Sequence, residues 1–213
     1  MDAERYLTLR AGYEAVSEVV DRKSRFIAQL VHVESEAAAA EHIAAVRARH
    51  FDARHNVPAW ILADGRERAS DDGEPQRTSG MPTLEVLRGA GLRDVCCVTT
   101  RYFGGTLLGP GGLVRAYTAA AQAAIDEARA AGAIVEMTMV TPVEVRVPYA
   151  AFEQVRHMAE VAGAKIADAV YAEDVTLELT FHAGEEGPFL AALTERFAGK
   201  QDARAGAPHF AEF

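Results

Sequence analysis

The sequence of 213 residues is poor in cysteine and lysine and has no long apolar run. Its two cysteines, Cys96 and Cys97, are adjacent, and neighbouring cysteines rarely pair because disulfide geometry strains the peptide between them. This excludes a disulfide scaffold. Residues 1–5 lack the basic and apolar parts of a signal peptide, and no run of about 18 apolar residues follows. We therefore expect a soluble, cytoplasmic protein without a membrane partner.

Composition places the chain among ordinary globular proteins. Hydrophobic residues make up 49% and charged residues 25% of the sequence, which excludes wholesale disorder. The length predicts one or two domains. The formal net charge of −9 argues against a general polyanion binder.

Charge is unevenly distributed along the chain. Residues 1–137 hold 16 basic and 19 acidic side chains, a balance of −3, whereas residues 138–213 hold 6 and 12, a balance of −6. Residues 88–115 contain four arginines and one carboxylate, Asp94, so this segment is locally positive. The excess of arginine over lysine is also explained by a GC-rich coding bias without functional meaning.

Hydrophobic periodicity predicts an N-terminal domain of residues 1–137 with four strands and three helices. Between Asp64 and Gly80 there is no aromatic or branched aliphatic residue, which predicts a structureless stretch that is either mobile or functional. The predicted strands are two within 5–33, then 57–63 and 94–100, and the predicted helices are 35–50, a short one from Leu84 to about Gly89 or Gly91, and 113–131.

A second domain of residues 138–213 is predicted after a boundary near Met137. Its elements follow the order strand, helix, strand, strand, helix and a last edge strand. This is the order of a ferredoxin-like domain, in which helices cover an antiparallel sheet. The segment has no cluster of catalytic residue types, so we interpret it as an interaction or packing module.

A glycine-rich loop at residues 101–112 is a candidate anion site. It carries five glycines immediately before the helix predicted to begin at Leu113. Glycines allow backbone N–H groups to converge, and a helix N-terminus presents unpaired donors with partial positive charge. Arg101 and Arg115 add guanidinium donors that suit phosphate. The alternative, to which we give equal weight, is that the glycines shape tight turns and close packing.

A second polar loop, residues 70–80, contains the carboxylates Asp71, Asp72 and Glu74. Their oxygens are of the type that binds Mg²⁺, but their spacing is not that of an EF-hand, and a solvated acidic loop is the simpler interpretation. No nucleophile has an evident base partner, because Ser79 lies outside a Gly-x-Ser-x-Gly motif. We predict no catalytic residue, no metal and no cofactor.

Several motifs, taken in order, resemble the IMPACT/YigZ family. The resemblance covers residues 15–130, and the remainder resembles the small C-terminal domain of bacterial members, which is similar to the last domain of elongation factor G. The matching motifs are Lys23-Ser24-Arg25-Phe26-Ile27, Asp52-Ala53-Arg54-His55, Ser70-Asp71-Asp72-Gly73-Glu74-Pro75 with Gly80 and Pro82, Arg101-Tyr102-Phe103-Gly104-Gly105, Leu108-Gly109, and Gly111-Gly112-Leu113-Val114-Arg115-Ala116-Tyr117.

The resemblance implies an α+β fold whose first domain has the fold of the second domain of a small-subunit ribosomal protein, a four-stranded sheet with helices. Eukaryotic relatives regulate translation by binding the activator of a starvation-responsive initiation-factor kinase. Bacterial relatives look like nucleic-acid-binding or ribosome-associated proteins, and no cofactor or reaction is implied. One departure concerns Arg77 and Ser79, which stand where relatives usually have glycine and alanine. Arg77 either changes the loop backbone or adds a cation that reaches phosphate.

Two hypotheses follow. The first is a non-catalytic, translation-associated regulator that binds RNA or a ribosome-linked protein. The second is an enzyme or binding protein that acts on a phosphorylated small molecule or nucleotide through the glycine-rich loop. The sequence does not determine the oligomeric state. The residues predicted to bind an anion or nucleic acid are Arg54, His55, Arg101, Gly104, Gly105, Gly111, Gly112 and Arg115, and the candidates in the acidic loop are Asp71, Asp72, Glu74 and Arg77.

Overall fold

A computed structural model describes residues 5–200 and 202–213 of the chain. The chain divides into two compact units. The N-terminal unit is Tyr6–Val135, and the C-terminal unit is Glu136–Phe213 together with Arg5. Both units combine helices with antiparallel sheets, which confirms the predicted α+β class. Within the described part of the chain, no helix has the length and apolar character needed to cross a bilayer.

The described residues form five helices and eleven strands. The helices are α1 (Glu36–Arg49), α2 (Gly80–Gly89), α3 (Gly109–Ala130), α4 (Tyr149–Val161) and α5 (Gly187–Arg196). The strands are β1 (Arg5–Leu9), β2 (Glu14–Asp21), β3 (Ser24–His32), β4 (His55–Ile61), β5 (Glu67–Ala69), β6 (Val95–Tyr102), β7 (Ile134–Val147), β8 (Lys165–Tyr171), β9 (Val175–His182), β10 (Asp202–Ala205) and β11 (His209–Glu212).

The N-terminal unit is built on a five-stranded antiparallel sheet with the order β2-β3-β6-β4-β5. Helices α2 and α3 pack on one face, while α1 covers β4 and β6 on the other. Strands β4 and β6 are therefore buried on both faces, which explains their nearly continuous apolar sequence. The register of the sheet places Arg101 between Phe26 of β3 and His55 of β4.

The prediction of a four-stranded sheet and a structureless stretch at 64–80 was wrong, because Glu67–Ala69 forms β5. This strand pairs with β4 at the edge of the sheet, with Ala69 opposite Ala59 and Glu67 opposite Ile61. Its exposed positions carry Glu67 and Arg68. Charged side chains are common on edge strands, where they discourage pairing with other chains, so the apolar pattern that identifies a strand is missing.

Two helices begin earlier than the periodicity predicts. Helix α2 begins at Gly80 rather than at Leu84, and α3 begins at Gly109 rather than at Leu113. Glycine counts against a helix interior, but the first turn tolerates it, and Pro110 is suited to a first turn because its missing N–H would have no helical acceptor. Gly111 and Gly112 are therefore helical rather than part of a loop, and Gly109, with a φ of +71°, stands at the start of the helix.

The C-terminal unit follows the predicted order of elements up to α5, but two strands, β10 and β11, stand where a single last edge strand was predicted. Strand β7 pairs with β9 on one side and with β10 and β11 on the other, and β9 also pairs with β8. Inward residues alternate along β9, which packs with α4 and α5 around one apolar cluster. The edge is interrupted between β10 and β11, where the Gly206 N–H donates to the Pro142 carbonyl.

Cys96 and Cys97 are free, buried thiols on β6. Because neighbouring strand residues face opposite sides, Cys97 packs with the cluster under α2 and α3, and Cys96 packs with the cluster under α1. Burial raises the pKa of Cys97 to about 12 and also raises that of Cys96. Their interpretation as small apolar residues of the core is confirmed.

Candidate functional site

A buried ion pair between Arg101 and Glu74 forms the centre of the candidate site. Arg101 Nη1 donates to Glu74 Oε1 over 2.7 Å, and the two side chains are 7% and 3% exposed. The guanidinium carbon of Arg101 also lies 5.5 Å from the ring centroid of Phe26 and 5.6 Å from that of Phe103. Such a buried pair is stable only while both charges are present, since either partner alone would be an uncompensated buried charge.

Tyr117 is a second partner of Glu74. The sequence predicted only that Tyr117 lies on an apolar face of α3. Its hydroxyl donates to Glu74 Oε1 over 2.9 Å, and its ring meets Phe26 edge to face at 5.1 Å. Burial, followed by the charge and hydrogen bond of Glu74, raises the pKa of Tyr117. A usable signal was present, because a tyrosine on the buried face of a helix needs a partner for its hydroxyl.

Asp71 holds the acidic loop together. Its Oδ1 accepts hydrogen bonds from the Ser79 N–H and hydroxyl and from the Gly80 N–H, and its Oδ2 accepts one from the Arg77 N–H. Burial alone would raise the pKa of Asp71, but these donors lower it overall. Asp71 therefore joins the start of α2 to the loop that precedes it.

Asp72 connects the same loop to strand β4 of the sheet through hydrogen bonds. Its carboxylate accepts from the Asn56 N–H and from Arg47, each over 2.7 Å. Its carbonyl oxygen lies 2.8 Å from His55 Nδ1, and because a carbonyl can only accept, Nδ1 carries the proton. His55 Nε2 then lies 3.8 Å from Glu74 Oε2.

The three carboxylates of the loop thus bind donors of the chain itself. In the described residues no group of three histidine, cysteine or acidic side chains is arranged to hold a metal ion. The hydrogen bonds of Asp71, Asp72 and Glu74 support a structural role for these residues over the alternative of a magnesium site.

Two of the predicted glycines are required by packing. The Gly104 N–H donates to Ser24 Oγ over 3.1 Å, and a Cβ at Gly104 would lie 2.1 Å from the carbonyl carbon of Lys23. A Cβ at Gly112 would lie 2.9 Å from Leu108 Cβ. Gly105 has a φ of +85°, which favours glycine. The packing interpretation of the glycine cluster therefore holds for these positions.

A cavity of about 290 Å³ brings four of the predicted residues together. Arg54, His55, Glu74 and Arg101 line it, and the first residues of α3 complete the wall. Gly111 lies in the first turn of this helix, outside the cavity lining. The combination places cationic groups beside a helix N-terminus, which is suited to an anion.

Arg77 and Arg115 lie outside that cavity. Arg77 lines an apolar groove of about 690 Å³ together with Val114 and other residues of α2 and α3, and Arg115 is exposed on α3. Arg77 has a φ of +62°, in the left-handed region. This backbone conformation favours glycine and explains why a glycine suits the position.

The fold and this site define a class of protein: two α+β units, the first with a polar loop held over a buried Arg–Glu–Tyr cluster at the start of a long helix. The family model of the Impact N-terminal domain matches residues 22–125, and a domain of unknown function, DUF1949, matches residues 145–200. The IMPACT family member YvyE of Bacillus subtilis is 34% identical over 203 residues, covering 94% of this chain and 91% of the relative. The chain belongs to the IMPACT family.

Two further comparisons agree with this assignment. The IMPACT family member YigZ of Escherichia coli is 44% identical over 118 residues, covering 54% of this chain and 57% of the relative. A crystal structure described as that of an hypothetical protein is 31% identical, with a TM-score of 0.63, and the match covers 96% of this chain and 98% of the other. The predicted family is therefore confirmed.

Proposed function

We propose that this protein is a non-catalytic, translation-associated regulator that acts in the cytoplasm by binding RNA. Membership of the IMPACT family supports the association with translation. The observation that carries the RNA proposal is a set of exposed arginines, Arg54, Arg77 and Arg115, which form no ion pair among the described residues. In a protein of net charge −9, phosphate can bind only where basic side chains are not paired with carboxylates.

These three arginines surround the first turns of α3. Arg54 and Gly109 line the same cavity, and Arg77 and Val114 line the same groove. Arg115 follows Val114 in α3. By contrast, many surface arginines are occupied by carboxylates, as Arg47 is by Asp72. Guanidinium groups that are free of carboxylates can contact RNA phosphates, and the helix N-terminus between them adds N–H donors.

Arg101 has a different part in this proposal. It is 6% exposed and its Nη1 is paired with Glu74, so it holds the polar loop in place and supplies no contact on the open surface of the unit. The enzyme alternative depends on Asp71, Asp72 and Glu74 as metal ligands. Their hydrogen bonds to the chain favour the non-catalytic proposal.

Fluorescence anisotropy with labelled single-stranded RNA tests the proposal. We expect binding to weaken with salt between about 50 and about 200 mM, with a log–log slope of about −0.7 per phosphate neutralised. The double variant Arg54→Ala/Arg115→Ala should bind more weakly, with a slope reduced by about 1.4, since two phosphate contacts are lost. The double variant Arg129→Ala/Arg156→Ala is the matched control, because both arginines are exposed and ion-paired.

Absence of RNA binding at the lower salt concentration, or equal binding by the two double variants, would contradict direct RNA recognition. Sedimentation with ribosomes then separates the partner classes. Co-sedimentation that survives Arg54→Ala/Arg115→Ala and nuclease treatment would assign a ribosome-linked protein as the partner.

A further inference from the structure

The cavity beside Arg101 contains a buried donor that the protein leaves unsatisfied. Arg101 is 6% exposed, and while its Nη1 binds Glu74, its Nε is buried without a hydrogen-bond partner among the described residues. Buried polar groups in native proteins are nearly always paired, because an unpaired donor loses its hydration without compensation. Arg101 lines the cavity, and an acceptor atom that reached this N–H from the cavity would satisfy it.

The start of α3 supplies an independent indication at the same cavity. This helix has 22 residues, no acidic residue in its first turn, and no side-chain hydrogen bond from its N-cap residue Leu108. Gly109 and Pro110 of its first turn line the cavity. Proline has no N–H, so the donor that the first turn offers to the cavity is the Gly109 N–H. It has no helical acceptor and carries partial positive charge, which favours an anion at this position.

The remaining charges of the cavity also favour an anion. Arg54 is exposed at the cavity and has no ion pair within residues 5–200 and 202–213. Glu74 is the carboxylate of the lining, and it is already bound to Arg101 and Tyr117. His55 donates through Nδ1 to the Asp72 carbonyl, so Nε2 is the ring nitrogen that can contact a molecule in the cavity. The cationic groups therefore outnumber the anionic one.

An apolar wall faces these charges. Phe103 is 42% exposed and Leu107 is 80% exposed, and both line the cavity. An exposed aromatic ring next to a cationic site is suited to a nucleobase, which stacks on such rings. The volume of about 290 Å³ is at the small end of ligand pockets, which suits one nucleotide unit rather than a dinucleotide.

We propose that this cavity binds one nucleoside monophosphate unit. The phosphate lies at Arg54, the Nε–H of Arg101 and the first turn of α3, and the base lies against Phe103. The inference deepens the proposed function and rests on it where the unit is a nucleotide of bound RNA. A free nucleotide would present the same chemistry.

Amide and arginine-side-chain NMR spectra of the full chain, titrated with AMP, test this inference. We expect shifts of the Arg101 Nε–H signal and of the Gly109 amide, with adenosine binding at least about tenfold more weakly because it lacks the phosphate. Arg54→Ala should raise the Kd for AMP about tenfold through the lost charge-assisted contact. Phe103→Leu should raise it about tenfold through the lost stacking.

Arg68→Ala is the matched control, because Arg68 is exposed on β5 and lies outside the cavity. Its Kd for AMP should equal that of the wild type. An AMP titration that leaves the cavity signals unmoved, or a Kd that Arg54→Ala does not change, overturns the inference.

Competition with single-stranded RNA separates the two sources of the nucleotide. If AMP occupies the cavity and displaces RNA, the unit belongs to the RNA. If AMP binds but RNA does not, the inference holds for a free nucleotide and the proposed function fails. If RNA binding depends on Arg115 and the cavity does not respond to AMP, the proposed function stands and this inference fails.

Discussion

Glu74 is the residue on which the buried polar cluster depends, since it accepts hydrogen bonds from both Arg101 and Tyr117. Glu74→Gln preserves the shape but leaves the Arg101 guanidinium buried without a counterion. We expect this change to lower the free energy of unfolding by about 3–5 kcal/mol, measured by urea denaturation. Glu153→Gln, which removes an exposed partner of Arg156, should cost less than about 1 kcal/mol. Equal losses would contradict the buried pair.

Asp71 links the loop to α2 through donors that lower its pKa. Asp71→Asn should reduce the stability of the protein at neutral pH by about 1–3 kcal/mol, because charged hydrogen bonds are lost. Because the pKa of Asp71 is lower in the folded protein than its ordinary value of 3.8, the carboxylate stabilises the fold at pH values above 3.8. This stabilisation is lost as the pH falls through the folded-state pKa. The difference between wild type and variant should therefore start to shrink as the pH falls below about 4 and vanish once the pH lies below the folded-state pKa, as measured by thermal unfolding against pH. A difference that persists in strong acid would contradict this role.

Arg77 has a left-handed backbone conformation, with a φ of +62°. Arg77→Gly should raise the free energy of unfolding by about 1 kcal/mol, because glycine adopts this conformation without strain. Arg68→Gly, placed in strand β5, should lower it by about 0.5–1 kcal/mol through the larger entropy of the unfolded chain. Chemical denaturation of both variants measures these opposite signs, and destabilisation by Arg77→Gly would refute the argument from strain.

Single residues of the site were predictable from the sequence to different degrees. Arg54, His55 and Arg101 were identified as candidates, and the cavity brings them together. The hydrogen bond between Tyr117 and Glu74 and the burial of Glu74 were not predicted. The position of Tyr117 on the buried face of α3 indicates that its hydroxyl needs a partner, but that partner lies on a loop and leaves no local periodic signal.

At the scale of elements, the loop that follows β6 depends on the close approach of Gly104 to Lys23. Gly104→Ala should destabilise the protein by about 1–3 kcal/mol, because the added Cβ meets backbone that cannot move aside. Gly89→Ala is the matched control, since Gly89 ends α2 and a Cβ there meets nothing within 4 Å. We expect it to stabilise the protein by about 0.5–1 kcal/mol. Thermal unfolding of both variants decides whether the backbone contact is restrictive.

Most elements were predictable because their apolar residues repeat with the period of a helix or strand. Strand β5 was missed because its stability comes from backbone pairing with β4 rather than from an apolar face. The first turns of α2 and α3 were missed because glycine and proline at helix starts resemble a loop. Element interiors were therefore more predictable than element ends.

At the scale of the whole molecule, the C-terminal unit has an apolar cluster separate from the two clusters of the N-terminal unit. Phe189 is 1% exposed in the C-terminal cluster, and Phe189→Ala should destabilise that unit by about 3–5 kcal/mol through the cavity it leaves. Amide hydrogen exchange should show faster exchange in β9 and α5, with β6 and α3 unchanged. Uniform acceleration along the chain would show instead that the N-terminal and C-terminal units unfold together in one cooperative step.

The sequence by itself determined the α+β class, the order of most elements and the family, because these follow from local periodicity and from motifs that are contiguous in the chain. The tertiary structure decided which side chains meet. The register of β3, β6 and β4 places Phe26, Arg101 and His55 side by side, and α3 brings Tyr117 to the carboxylate of Glu74. Strand register and helix packing are set by burial of the whole apolar face, so no short segment of the sequence contains them.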